Sequence, residues 1–179
     1  MSEPRRPVDS AAVVRIVTWN VNSLKARLPR VEQWLAENRP EIVCLQETKM
    51  KDEAFPAEVF DALGYESVHH GQGQWNGVAI LSTVGIDDVV SGWDDDGPED
   101  TDARVIWATC VFRRHHDEGG LYSFWDYRGG DFHQGRGLRI DLIMATASLA
   151  SRSADARVDR DARKGEKPSD HAPVIAEFD

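Results

Sequence analysis

The chain has 179 residues, 41% of them apolar, and a formal net charge of −10. This length supports one sizeable hydrophobic core and is short for two domains, and the apolar content excludes a largely disordered chain. The acidic balance argues against a protein that coats nucleic acid, because such proteins present a broad basic face to the phosphates. A localised phosphate site remains compatible with it, since carboxylates that hold a divalent cation make a site acidic in sequence.

The cysteines and the N-terminal segment favour a cytoplasmic protein. Cys44 and Cys110 both lie in apolar runs, which is typical of reduced, buried thiols in a reducing compartment. No apolar run approaches the length of a membrane span, and the polar start, Met1 to Asp9, lacks the apolar core of a signal peptide. We therefore expect a disordered tail over residues 1–12, a single domain over residues 13–179, no membrane contact, and a monomer.

The first part of the chain has the pattern of strand, helix and strand. Val13 to Trp19 is an apolar, β-branched run that ends at Asn20, and Ile42 to Leu45 is a second such run, followed by Glu47. Apolar residues recur every three or four positions over 28–38, which predicts a helix between them. Parallel strands would bring Asn20 and Glu47 to one sheet edge, where α/β sheets bind ligands. A capping Asn and a solvated Glu are the alternative.

The middle of the chain predicts a further helix and more strands around a glycine-punctuated loop. The loop alone is weak support for phosphate binding, and a plain hairpin connection explains it equally well. An acidic, solvated loop is expected over residues 94–102. The predicted elements are a helix from Pro56 to Gly64, a strand over Tyr65–His69, a loop over Gly71–Gly77, a buried strand over Val78–Leu81, an edge strand over Asp87–Val90 and a strand over Val105–Cys110.

An aromatic, strand-like run over Leu121–Tyr127 precedes a glycine-rich loop that carries Arg128, His133 and Arg136. Basic side chains beside aromatic ones are what proteins use to hold a distorted or unstacked nucleotide. An ordinary surface loop is the alternative. The pattern therefore indicates a candidate nucleic-acid contact without establishing one.

Two titratable residues lie in or beside predicted strands near the C-terminus. Asp141 is a carboxylate within the apolar run Leu138–Met144, so it requires a partner, and a histidine would serve. Asp170 and His171 directly precede Pro173, which suits the first residue of a strand and leaves both side chains at its rim. A solvated surface pair is the alternative for Asp170 and His171.

Taken together in chain order, the motifs resemble the exonuclease III and apurinic/apyrimidinic endonuclease branch of the endonuclease/exonuclease/phosphatase family. Several such motifs in order are far more specific than any single one. The matching stretches are Thr18–Asn22, Leu45–Lys49, Gln74–Ile80, Phe124–Arg128, Gly137–Asp141 and Ser169–Pro173.

The resemblance implies an α/β (α+β) fold, a two-sheet sandwich flanked by helices in four layers, with the site at one end of the sheets. It implies Mg²⁺ as the cofactor, with Mn²⁺ as an alternative ion, and double-stranded DNA with abasic sites or 3′ ends as the substrate. The residue roles carried over are metal binding by Glu47, Asn20 and Asp170, catalysis by His171 with Asp141 as its orienting carboxylate, and DNA contacts by Asn76, Phe124, Trp125, Arg128 and Arg136.

The chain departs from the family near residues 110–112. There the family carries a strand with a Tyr-x-Pro-Asn-like motif, a long helix, and a strand that ends in Gly-Asp-x-Asn, and this sequence has none of them. The resemblance assigns alignment of the attacking water and contact with the phosphate to the missing Asp and Asn. Loss of such aligning groups commonly costs orders of magnitude in rate.

Two hypotheses about function follow. The first is an exodeoxyribonuclease III-like, Mg²⁺-dependent DNA phosphodiesterase of base excision repair with impaired activity, acting as a 3′–5′ exonuclease and AP endonuclease. The second is a catalytically inactive remnant that binds DNA or protein, or a coding sequence assembled without an internal stretch. A phosphatase for a lipid or small-molecule phosphate ranks lower, because the stretches Phe124–Arg128 and Gln74–Gly77 look more like the DNA-repair branch.

Overall fold

Strand β1 (Val14–Asn20) and strand β2 (Ile42–Gln46) pair in parallel at the centre of the sheet, with Asn20 opposite Gln46. Helix α1 (Leu24–Asn38) connects them and buries its apolar residues against the sheet. This strand, helix and strand arrangement confirms the prediction, although the helix begins four residues earlier than its apolar repeat. The carboxyl ends of β1 and β2 consequently meet at one edge.

The computed structural model describes residues 13–86, 109–110 and 112–179. The edge strand predicted over Asp87–Val90 and most of the strand predicted over Val105–Cys110 lie outside these residues. The remaining described elements are a 3₁₀ turn (Asp52–Ala54), α2 (Ala57–Ala62), β3 (Glu66–His70), β4 (Val78–Ser82), β5 (Thr109–Cys110), α3 (Phe112–His115), α4 (Asp131–Gln134), β6 (Met144–Ala145), α5 (Ala147–Ser151), β7 (Ser153–Val158), a second 3₁₀ turn (Arg160–Arg163) and β8 (Val174–Phe178).

The described strands form one large and one small sheet. The large sheet has six strands in the order β3-β4-β2-β1-β8-β7, and β8 is antiparallel to β1. The small sheet contains only β5 and β6 in the described part of the chain. The mixed α/β class is confirmed, and the strand that begins just after His171 lies beside the strand that ends at Asn20.

The large sheet buries its two faces in two separate cores. On one face, alternate residues of β1 and β2, such as Val17 and Leu45, pack against α1. On the other face, residues of β8 such as Val174 and Phe178 pack against the small sheet and Phe112.

Where the described residues are concerned, no helix combines the length and apolar character that crossing a lipid bilayer requires.

Several strand predictions require correction. Leu121–Tyr127 forms isolated bridges at Phe124 and no strand, and only Met144 of the run Leu138–Met144 is in a strand. Within the described residues, backbone pairing of these two runs is limited to the bridges at Phe124 and the two-residue pairing of β6 with β5. The strand β4 is buried on one face only, since Ile80 is 44% exposed. The strand β7 was not predicted, because its sequence carries few apolar residues.

Candidate active site

Three loops meet at the carboxyl ends of β1 and β2. Backbone hydrogen bonds of 2.8–3.1 Å join residues 21–24 to residues 46–48, and residues 48–49 to residues 76–77. Non-glycine residues with left-handed backbone are concentrated there, and such conformations persist only where the surrounding structure fixes them. These residues are Asn22 (φ 43°), Ser23 (φ 84°), Glu47 (φ 52°), Lys49 (φ 53°) and Asn76 (φ 54°).

Glu47 projects from the second of these loops with both carboxylate oxygens engaged. Oε1 accepts a hydrogen bond from Nδ2 of Asn20 at 2.8 Å, and Oε2 lies 2.9 Å from Nζ of Lys49. Burial alone would raise the pKa of Glu47, but the hydrogen bonds from Asn20 and Lys49, with a smaller electrostatic contribution from His171, lower it. Glu47 and His171 therefore interact across one site.

A chain of polar contacts continues from Glu47 to the C-terminal motif. Nζ of Lys49 also donates to Oδ1 of Asn22 at 2.6 Å, and Nδ2 of Asn22 donates to Oδ1 of Asp170 at 3.0 Å. The hydroxyl of Ser169 donates to the carbonyl oxygen of Asn20 at 2.7 Å. These contacts place Asp170 beside the loop that carries Asn20, 150 residues away in sequence.

His171 and Asp141 form a buried pair. Nδ1 of His171 lies 2.9 Å and 2.8 Å from the two carboxylate oxygens of Asp141, and the side chains are only 9% and 7% exposed. The hydroxyl of Ser123 accepts hydrogen bonds at 3.2 Å from the backbone N–H groups of Ile140 and Asp141. The backbone that carries Asp141 is thereby held toward the imidazole.

Phe124 joins three of the predicted motifs. Its backbone forms antiparallel bridges with both Leu138 and His171, and its ring centroid lies 4.8 Å from that of the imidazole. Trp125 is 2% exposed and packs edge-on against Phe132, 5.2 Å away. The structure therefore brings Phe124 to His171 and directs Trp125 into the interior.

The three polar residues expected to contact DNA all lie at the surface. Asn76 is exposed on the loop that follows β3, and its carbonyl accepts a hydrogen bond from the backbone of Lys49. The side chain of Arg128 is 94% exposed, and Arg136 pairs with Asp131 at 2.8 Å. Their positions are compatible with contact to a long ligand, and their role stays a prediction.

The oxygen atoms at the site fit a hard divalent cation. Glu47 and Asp170 carry carboxylates at the site. The amide oxygens of Asn20 and Asn22 accept hydrogen bonds from the backbone N–H of Asn22 and from Nζ of Lys49. Carboxylate and amide oxygens are the ligand types that Mg²⁺ and Mn²⁺ take in proteins. Across residues 13–86, 109–110 and 112–179, no group of three or more His, Cys, Asp or Glu side chains could hold a metal ion. The residues present would leave much of the coordination sphere to water or substrate.

Three residues of the polar network were not among the predicted site residues: Asn22, Lys49 and Ser169. All three lie inside the matching stretches, but none was assigned a role. The turn formers at Asn22 and Ser23 were a signal that the chain bends sharply there. A left-handed Lys49 has no comparable sequence signal.

The sequence profile of the Endonuclease/Exonuclease/phosphatase family matches residues 17–106, half of the chain. This chain belongs to that family. The match includes Asn20, Glu47 and Asn76, whereas the His171–Asp141 pair lies beyond it.

Individual relatives from the family extend the similarity to nearly the whole chain. The chain is 27% identical to exodeoxyribonuclease III of Haemophilus influenzae, with 92% of this chain and 100% of that protein covered. Among solved structures, an AP endonuclease from Archaeoglobus fulgidus is 28% identical with a TM-score of 0.84, covering 93% of this chain and 99% of that one. A 3′–5′ exonuclease from Neisseria meningitidis is 30% identical with a TM-score of 0.82, covering 93% and 100%.

The alignment with the Haemophilus protein extends over 266 residues, more than the 179 of this chain. It therefore contains gaps on the side of this chain. The two ends of the relative are nevertheless matched, so the missing length is internal.

Proposed function

We propose that this chain is an exonuclease III-like DNA phosphodiesterase whose turnover is reduced. The observation that carries the proposal is the buried contact between His171 and Asp141 at the site that also contains Glu47. These are the residue types that metal-assisted phosphodiester hydrolysis requires, and they occur in the family's order. The similarity to exodeoxyribonuclease III and to AP endonucleases over most of the chain supports the same activity.

The cofactor we propose is Mg²⁺, with Mn²⁺ as an alternative, held by Glu47 and Asp170 with the amide oxygens of Asn20 and Asn22 nearby. When bound, a divalent cation neutralises charge on the scissile phosphate. Glu47 is suited to this role because its lowered pKa keeps it ionised at neutral pH.

The imidazole of His171 supplies the acid–base group. With the carboxylate of Asp141 facing Nδ1, the neutral ring carries its proton on Nδ1, and Nε2 is free to accept one. The ring can then take a proton from the attacking water or, once protonated, stabilise negative charge on the phosphate. Asp141 favours both roles because its two carboxylate oxygens, 2.9 and 2.8 Å from Nδ1, fix the orientation of the ring.

The substrate class we propose is double-stranded DNA with an abasic site or a 3′ end. A solved relative, described as the 3′ phosphatase NExo from Neisseria, is bound to a product DNA hairpin and is 30% identical to this chain. In this proposal Phe124, whose ring contacts that of His171, lines the pocket for the sugar, and the exposed residues Asn76, Arg128 and Arg136 contact the DNA backbone. We further propose a cytoplasmic monomer.

The reduced rate follows from the absent Gly-Asp-x-Asn and Tyr-x-Pro-Asn-like motifs. Removing one preorganised group of this kind typically costs about 10²–10³ in rate. We therefore expect cleavage that is measurable with enzyme in excess and slow in multiple turnover.

A non-catalytic DNA- or protein-binding module is the second candidate. The observation in its favour is that the described residues supply no cluster of three His, Cys, Asp or Glu side chains for a metal ion. Under this alternative, the exposed Arg128 and Arg136 retain a binding role while hydrolysis is absent. The coding DNA across the codons for Cys110 and Val111 tests a third explanation: intact in-frame sequence for the missing strands there would identify an assembly artefact.

Single-turnover cleavage of a duplex that contains one abasic site tests the proposal. With protein in excess and Mg²⁺ or Mn²⁺ present, we expect a slow strand break beside the abasic site, and none after addition of EDTA. Binding of the duplex without cleavage at any cation concentration would favour the non-catalytic module.

A further inference from the structure

A second histidine–carboxylate pair lies next to the loop that carries Glu47, and neither of its residues was predicted to be catalytic. Nδ1 of His69, on β3, lies 2.8 Å from Oδ1 of Asp52, and the His69 side chain is only 4% exposed. The ring stacks on Phe55 with centroids 4.4 Å apart and planes 14° from parallel. The same Asp52 oxygen also accepts a hydrogen bond from the backbone N–H of Gly71 at 2.8 Å. The imidazole therefore lies between the Asp52 carboxylate and the Phe55 ring.

The other ring nitrogen reaches the loop that carries Glu47. Nε2 of His69 lies 2.9 Å from the hydroxyl oxygen of Thr48, a residue with no exposed surface. Thr48 separates Glu47 from Lys49, and both of these flanking residues have left-handed backbone conformations. A shift of the Thr48 backbone would therefore also move the neighbouring Glu47 backbone, from which the carboxylate projects.

All the polar groups of Thr48 are engaged. Its backbone N–H donates to the carbonyl of Gly77 at 3.1 Å, and its carbonyl accepts from the N–H of Leu24 at 2.9 Å. Its side-chain hydroxyl contacts His69, and this contact links the turn to strand β3. Burial lowers the pKa of His69, although the contact with Asp52 opposes the shift, so a neutral ring can accept a hydrogen bond from the Thr48 hydroxyl.

We infer that His69 is a positioning residue for the cation site: acting through Thr48, it fixes the direction in which Glu47 presents its carboxylate. This inference rests on the proposed function, since it assigns a role toward the cation that Glu47 would bind. Some groups orient a metal ligand without contacting the metal themselves. Removing such a group commonly weakens metal binding by about 10- to 100-fold.

The affinity for Mn²⁺, measured by calorimetry or by paramagnetic resonance of the free ion, tests the inference without an activity assay. We expect His69→Ala to weaken Mn²⁺ binding at least about tenfold. His69→Gln, which can place a polar group near the position of Nε2, should restore much of that loss. The neighbouring His70→Ala is the matched control, because His70 is exposed and points to the opposite face of β3.

Thr48→Val removes the hydroxyl at nearly constant volume and should reproduce the loss. Since both changes break the same contact, the double variant should bind Mn²⁺ no more weakly than either single variant. This lack of additivity separates positioning from general destabilisation, and thermal melts of each variant verify that the protein is folded. If His69→Ala does not fold, the Mn²⁺ affinity of Thr48→Val relative to that of the wild type tests the role of His69 instead.

The outcomes distinguish the two claims. If a folded His69→Ala or Thr48→Val variant binds Mn²⁺ as tightly as the wild type, the role of His69 is overturned and the proposed function stands. A wild-type chain that binds no Mn²⁺ at all would overturn the proposed cation site, and with it the role of His69.

Discussion

Nζ of Lys49 lies 2.9 Å from Oε2 of Glu47 and 2.6 Å from Oδ1 of Asn22, so one ammonium group contacts two oxygen atoms suited to a divalent cation. A positive charge at this position competes with a metal ion for the same carboxylate. The ammonium must therefore move aside, or share the oxygens, when a cation binds to Glu47.

Replacing Lys49 should consequently tighten cation binding. For Lys49→Met we predict a Mn²⁺ affinity about two- to fivefold higher than that of the wild type, the range expected for losing a partly exposed ion pair. Lys51→Met, at an exposed position two residues away, is the matched control and should leave the affinity unchanged. Calorimetric titration at fixed ionic strength measures both. Weaker binding in Lys49→Met would mean that the ammonium supports the site rather than competing for it.

Gly77 is required by the packing of the site loops. A Cβ at this position would lie 2.2 Å from the hydroxyl oxygen of Thr48, and the backbone φ is +92°. Gly85 has a similar φ of +96° but open space around it. Gly85→Ala should cost about 1–2 kcal/mol of unfolding free energy from the left-handed conformation alone. Gly77→Ala should cost a further 1–3 kcal/mol or so from overpacking. Urea unfolding measures both, and equal losses would contradict the clash with Thr48.

Acidification should destabilise the fold through His69. Because burial lowers the pKa of His69 in the folded state, protonation favours the unfolded chain as the pH falls below the ordinary histidine value of about 6.5. His116 acts in the opposite sense: its pKa is raised, chiefly by a hydrogen bond to Glu118, so its contribution is complete below that value and declines above it. The two residues therefore affect stability in different pH windows.

Urea midpoints measured between pH 7.0 and pH 5.5 test this sign. We predict that the wild-type midpoint falls over this range and that the fall is smaller in His69→Gln. His70→Ala should change the slope less than His69→Gln does, because the charge of His70 is the smallest of the causes that act on the pKa of His69. Parallel pH profiles for the wild type and His69→Gln would show that the buried ring does not resist protonation.

Arg128 provides a test of the DNA-contact surface. Its side chain is 94% exposed, and its nearest carboxylate partner, Asp126, is 3.7 Å away. If it contacts a phosphate, Arg128→Ala should weaken duplex binding whatever the sequence and reduce the slope of log affinity against log salt by about one. Arg114→Ala changes an exposed arginine on α3, which packs on the edge strand β7, and serves as the control. Equal binding by both variants at every salt concentration would remove Arg128 from the interface.

The first part of the fold follows from hydrophobic pattern alone. Continuous apolar runs predicted β1 and β2, the three- and four-residue repeat predicted α1, and their spacing predicted that Asn20 and Glu47 would share an edge. A lone carboxylate in an apolar run likewise predicted a partner for Asp141. These features are local, or depend on a single connection between neighbouring elements.

Other features depend on which strands are available to pair. The apolar run Val78–Leu81 predicted a strand that is buried on both faces, yet Ile80 is exposed. An apolar sequence does not reveal whether a second layer of structure covers each face of the strand. The strand β7 has few apolar residues and owes its pairing to β8. The contact between His69 and Thr48 joins residues 21 positions apart. It depends on two antiparallel registers, of β2 with β4 and of β4 with β3, that sequence pattern does not specify.

The central claim is that His171 and the cation site act together on a phosphodiester bond. Single-turnover cleavage of an abasic-site duplex in Mn²⁺ by wild type, His171→Ala and the control His70→Ala tests it most directly. We predict slow, EDTA-sensitive cleavage by wild type and His70→Ala, at least about 10²-fold slower than by the Haemophilus exodeoxyribonuclease III. In His171→Ala, the rate should fall by a further 10²-fold or so. Cleavage by His171→Ala at the wild-type rate, or no cleavage by wild type with saturating cation, would contradict the claim.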